Sequence, residues 1–191
     1  PILYNGRGQD RLSDELERFL QAGPPPMVFT LGTSAVSAPG GFYEESAAAA
    51  ARVGVRAILL VGTHPENRPA RHLSDDVIAV EHASHAALLP RAALTVHHGG
   101  IGTLHQALHA GRPMLVVPFA HDQPDNAYRA SRLGVARVLP PRRYAAARMT
   151  AELRELLADP AYAARAAEVA RRVRAEDGVA AACAAIETRR D

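Results

Sequence analysis

A glycine-rich turn at residues 97–103 carries the residue types and spacing suited to binding an anion. The apolar run 94–96 leads into the sequence HHGGIGT, after which apolar residues recur with helical spacing at Leu104 and Leu108. This order predicts a strand, a tight loop and a helix. The first N–H groups of such a helix lack intrahelical partners, the helix dipole adds partial positive charge, and glycines let a phosphate approach the backbone. We therefore predict that a phosphorylated ligand binds at this turn.

The glycine spacing differs from that of the two commonest nucleotide-binding loops. A dinucleotide fingerprint needs a third glycine where His105 stands, and a P-loop needs a lysine, which this chain lacks altogether. A nicotinamide-binding module stays open as an alternative, because Asp122 follows the turn at about the 20-residue distance of a ribose-binding acid. That alternative gives Gln123 no role.

A second polar loop follows the next predicted strand, at 114–117. It contains Pro118, Asp122 and Gln123, and residues 126–127 are predicted to open the helix that follows. A carboxylate beside an amide can satisfy adjacent hydroxyl groups. Because ligands of open α/β sheets bind beyond the carboxyl ends of the strands, we expect this pair to face the glycine turn.

Three motifs, HHGGxGT at 97–103, ALxxGxP at 107–113 and PxxxDQxxNA at 118–127, together resemble the donor-binding signature of the family 1 and family 28 glycosyltransferases of the GT-B fold. The resemblance runs from about residue 25 to the last helices. It implies the C-terminal, sugar-nucleotide-binding half of a two-domain enzyme, with the N-terminal acceptor domain absent from this chain.

The resemblance also implies which residues bind the donor. Those expected at the diphosphate are Gly32, Thr33, Ser34, His97, Gly99, Gly100, Ile101, Gly102 and Thr103. Those expected at the base and ribose are His82, Ala83, His85 and His105, and those at the sugar are Asp122 and Gln123. No catalytic residue is expected here, because the general base of such enzymes lies in the acceptor domain.

Two histidines stand where the family has other residue types. His82 occupies the position of an aromatic residue at the base, and a histidine ring offers less stacking area. His105 occupies the position of a glutamate that holds both ribose hydroxyls in many members, and an imidazole cannot accept two hydrogen bonds at once. We therefore hypothesise that a deoxyribose donor such as a dTDP-sugar is tolerated or preferred over a UDP-sugar.

Structural interpretations of the same histidines also remain open. His97 and His98 could simply end a buried strand, and segment 82–85 could be a capped turn before a short helix. His105 and His109 have the spacing of zinc ligands on one helix face, but no cysteine accompanies them. Since the resembled family does not depend on a metal, no metal and no cofactor is expected besides the sugar-nucleotide substrate.

Length and composition favour one globular, cytoplasmic domain. The chain has 191 residues, 48% of them apolar, and no apolar run approaches the roughly 20 residues that span a bilayer. Cys183 stands alone, so no disulfide framework is expected and a reducing compartment is natural. The basic residues are scattered and aromatic residues are only 5%, which argues against a nucleic-acid partner.

Alternating apolar strands and helices predict a doubly wound, Rossmann-like parallel sheet with extra C-terminal helices, and the resemblance implies that this sheet is one half of a GT-B fold. Strands are predicted at 27–31, 56–61, 77–80, 94–97, 114–117 and 134–139, and helices near 13–20, 42–53, 104–110, 150–158, 161–174 and 177–188. Residues 1–26 are interpreted as an inter-domain linker with a short helix, and residues 27–191 as the donor-binding domain.

The activity implied by the resemblance is an inverting, metal-independent transfer of a hexose from UDP or dTDP to a hydroxyl of an apolar small molecule or lipid. The expected partners are the nucleotide sugar, the acceptor, and an N-terminal acceptor domain in cis or a partner chain in trans. Peripheral membrane contact is expected only through the missing half, and this chain alone is expected to be inactive. Two alternatives to this function stay open: a separate sugar-nucleotide-binding subunit that needs a partner chain, and the nicotinamide-binding module.

Overall fold

The computed structural model describes residues 11–70 and 72–188, without the side chains of Thr33 and Ser34. Within these ranges six parallel strands form one sheet in the order β3-β2-β1-β4-β5-β6. The strands are β1 (Met27–Thr30), β2 (Ala57–Leu60), β3 (Val77–Val80), β4 (Leu94–His97), β5 (Met114–Val116) and β6 (Ala136–Val138). The predicted doubly wound sheet is thereby confirmed, and its strand order reverses between β1 and β4.

Helices cover both faces of the sheet. They are α1 (Asp14–Gln21), α2 (Gly32–Ala35), α3 (Phe42–Val53), α4 (His85–Leu88), α5 (Ile101–Ala110), α6 (Gln123–Arg132), α7 (Ala146–Ala158), α8 (Pro160–Ala175) and α9 (Gly178–Glu187). Short 3₁₀ turns lie at Pro65–Asn67, Leu89–Arg91 and Pro141–Arg143. No helix in the described part of the chain is long and apolar enough to cross a membrane.

Two hydrophobic cores hold these layers together, because alternate residues of each buried strand point to opposite faces. On one face, Val28 and Ile58 pack with residues of α1, α4, α5, α6 and α8. On the other face, Phe29 and Leu59 pack with residues of α2, α3 and α7. Helix α9 contributes no buried residue.

The strand register aligns the carboxyl ends of the three strands that carry the predicted site. Thr30 of β1 pairs with Leu60 of β2 and with His97 of β4, and His97 pairs with Val116 of β5. The loops after these strands therefore leave the sheet at one level, on the edge where ligands of open α/β sheets bind.

Two helices begin three residues earlier than their apolar spacing predicts. Helix α5 starts at Ile101 rather than at 104, and α6 starts at Gln123 rather than at 126. Their first turns, Ile-Gly-Thr and Gln-Pro-Asp, show no apolar period. Helix α7 begins at Ala146, four residues before the predicted 150, whereas the remaining predicted bounds agree within about two residues.

Helix α1 lies within the predicted linker 1–26, yet it packs into the hydrophobic core that contains Val28 and Ile58. Residues 1–10 of that linker are outside the described part of the chain. Ser13 caps it, accepting the Leu16 N–H at 3.3 Å. The Arg56 guanidinium donates to the Phe19 carbonyl and lies 3.9 Å from the centre of its ring. These contacts join α1 to the sheet, while the domain boundary at residue 26 stays a prediction.

Shortening the Leu16 side chain, near the centre of α1, tests this packing. Leu16 is 1% exposed, so Leu16→Ala should lower the free energy of unfolding by about 2–5 kcal/mol through lost apolar contact and a cavity. The control is Leu157→Ala, because Leu157 is 37% exposed and its truncation should cost about 0.5 kcal/mol. Urea unfolding measures both, and equal small losses would show that α1 is not part of the core.

Candidate functional site

The ring of His98 fills the space between the β1 loop and the β4 loop. A Cβ atom placed on Gly32 would lie 2.6 Å from His98 Cε1, and one on Gly100 would lie 2.3 Å from His98 Nε2. Only glycine lets the backbone approach the ring so closely, and Gly32 also has a positive φ of 62°. His98 is 3% exposed. The two loops are thus packed against one side chain at the point where the strand order reverses.

The start of α5 carries backbone N–H groups that lack an intrahelical partner. Within the described residues, the N–H groups of residues 100–103 have no backbone acceptor, whereas Leu104 N donates to the Gly100 carbonyl at 2.9 Å. Ile101 is 63% exposed and Gly102 is also exposed. Donors at the positive end of a ten-residue helix form an anion-binding site.

His97 fixes the turn that precedes these donors. Its Nδ1 accepts the Gly99 N–H at 3.0 Å, so the neutral ring carries its proton on Nε2. The residue is fully buried, and Nε2 has no partner within the described part of the chain. Burial, together with the neighbouring His98 and His85, lowers the pKa of His97 to about 3, so the ring is uncharged at neutral pH.

Gln123 closes the loop between β5 and α6. Its Oε1 accepts the N–H groups of Phe119 at 2.8 Å and Ala120 at 3.1 Å, and the residue is 3% exposed. The side-chain oxygen of Gln123, a predicted sugar-binding residue, is therefore already bonded within the loop. The amide nitrogen is the group of Gln123 left to donate to a ligand.

Asn126 ties this loop to the glycine turn. Its Nδ2 donates to the Asp122 carboxylate at 2.7 Å and to the Gly99 carbonyl at 2.9 Å. Asp122 is exposed, and its carboxylate lies close enough to His98 to influence the pKa of that histidine. Burial lowers the pKa of His98 to about 4, the Asp122 carboxylate raises it, and His85 lowers it. Sequence reasoning placed Asn126 at the start of a helix and missed this bridge.

A cavity of about 190 Å³ lies beyond the ends of β1, β2 and β3. The Ser84 hydroxyl accepts the Ala87 N–H at 3.4 Å and so caps α4, which means that the capped turn of the structural interpretation is present. The same turn places the predicted base-binding residues His82, Ala83 and His85 at the cavity. The lining of the cavity also includes Gly32 and Gly62.

His105 lies on α5 with 8% of its surface exposed. Both of its ring nitrogens are buried without a partner within the described residues, and burial lowers its pKa. It does not line the cavity beyond β1 to β3. No group of three His, Cys, Asp or Glu side chains in the described part is arranged to hold a metal. Thr33 and Ser34 lie in α2, and their side chains are outside the described part.

Comparisons with known proteins show the family to which the chain belongs. Residues 44–185 match the family model for the erythromycin biosynthesis protein CIII-like C-terminal domain. The O-mycaminosyltylonolide 6-deoxyallosyltransferase of Streptomyces fradiae is 41% identical over 178 residues, which are 93% of this chain and 41% of that enzyme.

Solved structures share the fold. The glycotransferase of kitacinnamycin matches with a TM-score of 0.77 and 31% identity over 86% of this chain and 42% of its own. The glycosyltransferase VinC in complex with dTDP matches with a TM-score of 0.72 and 28% identity over 86% of this chain and 41% of its own. The chain thus spans about two fifths of the length of these proteins. It belongs to the erythromycin biosynthesis protein CIII-like C-terminal domain family, and its sheet is the Rossmann-like half of a GT-B glycosyltransferase fold.

Proposed function

We propose that the chain is the donor-binding half of an inverting, metal-independent glycosyltransferase. It binds a nucleoside-diphosphate hexose whose sugar is transferred to a hydroxyl of an apolar small molecule. The observation that carries this proposal is the Asn126 bridge, which fixes the Asp122 carboxylate beside the Gly99 carbonyl and the free N–H groups of 100–103. One activated sugar can contact both loops.

The diphosphate is held at the start of α5. The N–H groups of residues 100–103 and the Thr103 hydroxyl donate to its oxygens, and the helix dipole stabilises the charge that develops as the nucleoside diphosphate leaves. A buried N–H without an acceptor costs about 1–3 kcal/mol, and a phosphate oxygen at the turn would give His97 Nε2 its missing acceptor. His97 acts here as a neutral donor.

The hexose lies against the β5–α6 loop. Asp122 accepts from sugar hydroxyls, and the Gln123 amide nitrogen donates, because the Gln123 oxygen is held by Phe119 and Ala120. The general base and the acceptor pocket belong to an N-terminal half, in cis or in a partner chain. The relatives that this chain matches are more than twice its length, which supports this division.

A deoxyribose donor suits the residues present. His105 offers no pair of carboxylate oxygens to a ribose diol, and both of its ring nitrogens are buried. The base lies in the cavity lined by His82 and His85. The structural neighbour VinC was solved with dTDP, which supports dTDP as the carrier.

Removing His97 should weaken diphosphate binding. We expect His97→Ala to reduce dTDP affinity at least about tenfold, roughly 1.4 kcal/mol, because the Gly99 N–H and the proposed phosphate oxygen both lose their partner. Calorimetric titration measures the dissociation constant. His72→Ala, at an exposed loop histidine away from the site, should leave it unchanged. An unchanged constant in folded His97→Ala would contradict the assigned role.

Comparing UDP, dUDP and dTDP shows whether the sugar ring or the base of the nucleotide determines which one binds more tightly. If His105 disfavours ribose, dUDP should bind about as well as dTDP and several-fold more tightly than UDP, since only UDP carries the 2′-hydroxyl. His105→Glu should then improve UDP affinity selectively. Tighter binding of UDP than of dUDP by the wild-type chain would refute the deoxyribose hypothesis.

The neutral state of His97 predicts acid sensitivity. Its pKa is about 3 in the fold against 6.5 in the unfolded chain, so its contribution to stability is complete above pH 6.5 and is lost as the pH falls from there toward 3. Between pH 7 and pH 5 the wild type should lose about 2 kcal/mol more stability than His97→Asn. Urea unfolding at the two pH values measures this difference, and parallel losses would show that His97 is not buried as a neutral ring.

A further inference from the structure

One non-glycine residue in the described part of the chain has a left-handed backbone. His121 has φ of +59°, a conformation that costs a residue with a Cβ roughly 1–2 kcal/mol compared with glycine. It lies on the exposed loop between β5 and α6. A glycine would adopt the same conformation without that cost, so the feature that this position gains from histidine is its side chain.

Hydrogen bonds fix the loop on both sides of His121. Before it, Val117 N donates to the His97 carbonyl at 2.8 Å, and the Phe119 and Ala120 N–H groups donate to Gln123 Oε1. After it, Asn126 holds the Asp122 carboxylate. Strained residues that a rigid environment holds in place are found preferentially at ligand sites.

His121 also lies at the rim of the proposed donor site. Asp122 follows it directly and is joined through Asn126 to the Gly99 carbonyl of the glycine turn. The His121 side chain is exposed and has no hydrogen-bond partner within the described residues. An imidazole offers one donor and one acceptor, which suits neighbouring hydroxyl groups of a sugar.

We propose that His121 is a specificity residue for the donor sugar, whose imidazole contacts the hexosyl group beside Asp122. This inference rests on the proposed function, in which Asp122 binds the hexose. Because the nucleoside diphosphate occupies the α5 turn and the cavity beyond β1 to β3, His121 recognises the sugar and leaves the affinity for the nucleotide unaffected.

Two variants at the same position separate the imidazole from the backbone. His121→Gly removes both ring and strain. His121→Asn removes the ring while keeping a side chain that tolerates the left-handed conformation. His72→Gly is the matched control, since His72 is an exposed loop histidine that lacks a positive φ. Calorimetry with dTDP and with dTDP-glucose on the 191-residue chain gives the two dissociation constants, and thermal unfolding gives Tm.

Both His121 variants should bind dTDP-glucose about fivefold more weakly than the wild type, the loss expected for one hydrogen bond, and dTDP within about twofold. The Tm of His121→Gly should not fall, and His72→Gly should change neither constant. Unchanged dTDP-glucose affinity in either His121 variant, or an equal loss of dTDP affinity, would overturn the role of His121 alone. A wild-type chain that does not bind dTDP would overturn the proposed function, and this inference with it.

Discussion

The loops that leave β1 and β4 are held apart, and in register, by a single imidazole ring. His98 lies so close to Gly32 and Gly100 that neither position accepts a side chain. The parallel pairing of Thr30 with His97 brings the two strand ends level, and the ring fills the gap that opens where the strand order reverses. The start of α5 follows one of these two loops, and the other loop contributes Gly32 to the lining of the cavity beyond β1 to β3.

The diphosphate would be bound by groups that carry no net charge. His97 and His98 are both neutral at physiological pH, because burial lowers their pKa values to about 3 and about 4. Attraction for a diphosphate therefore comes from oriented N–H groups and the dipole of α5. Such groups need no rearrangement when charge develops on the leaving group. Within the described residues the buried His97 Nε2 has no acceptor, and a phosphate oxygen that reached it would supply one.

Sequence patterns predicted the strands, the parallel sheet and the glycine turn, because these depend on apolar periodicity and on glycine, which act locally. They misplaced the starts of α5, α6 and α7, since the first turns of α5 and α6 show no apolar period and α7 opens on two alanines and an arginine. The Asn126 bridge depends on a contact with Gly99, 27 residues away in the sequence, and Gln123 Oε1 is bonded to Phe119, four residues away in its own loop. Apolar periodicity carries no information about either contact. The strain at His121 depends on loop closure and has no sequence signature of its own.

The central claim is that one molecule spans the α5 turn and the β5–α6 loop. Amide chemical shifts of the ¹⁵N-labelled chain test it directly, by titration with dTDP and then with dTDP-glucose. The account predicts that the amides of residues 100–103 shift with both ligands, and that the amides of Asp122 and Gln123 shift further only when the glucosyl group is present. If residues 100–103 do not respond to dTDP, or if Asp122 responds equally to both ligands, the diphosphate and the sugar do not lie where we propose.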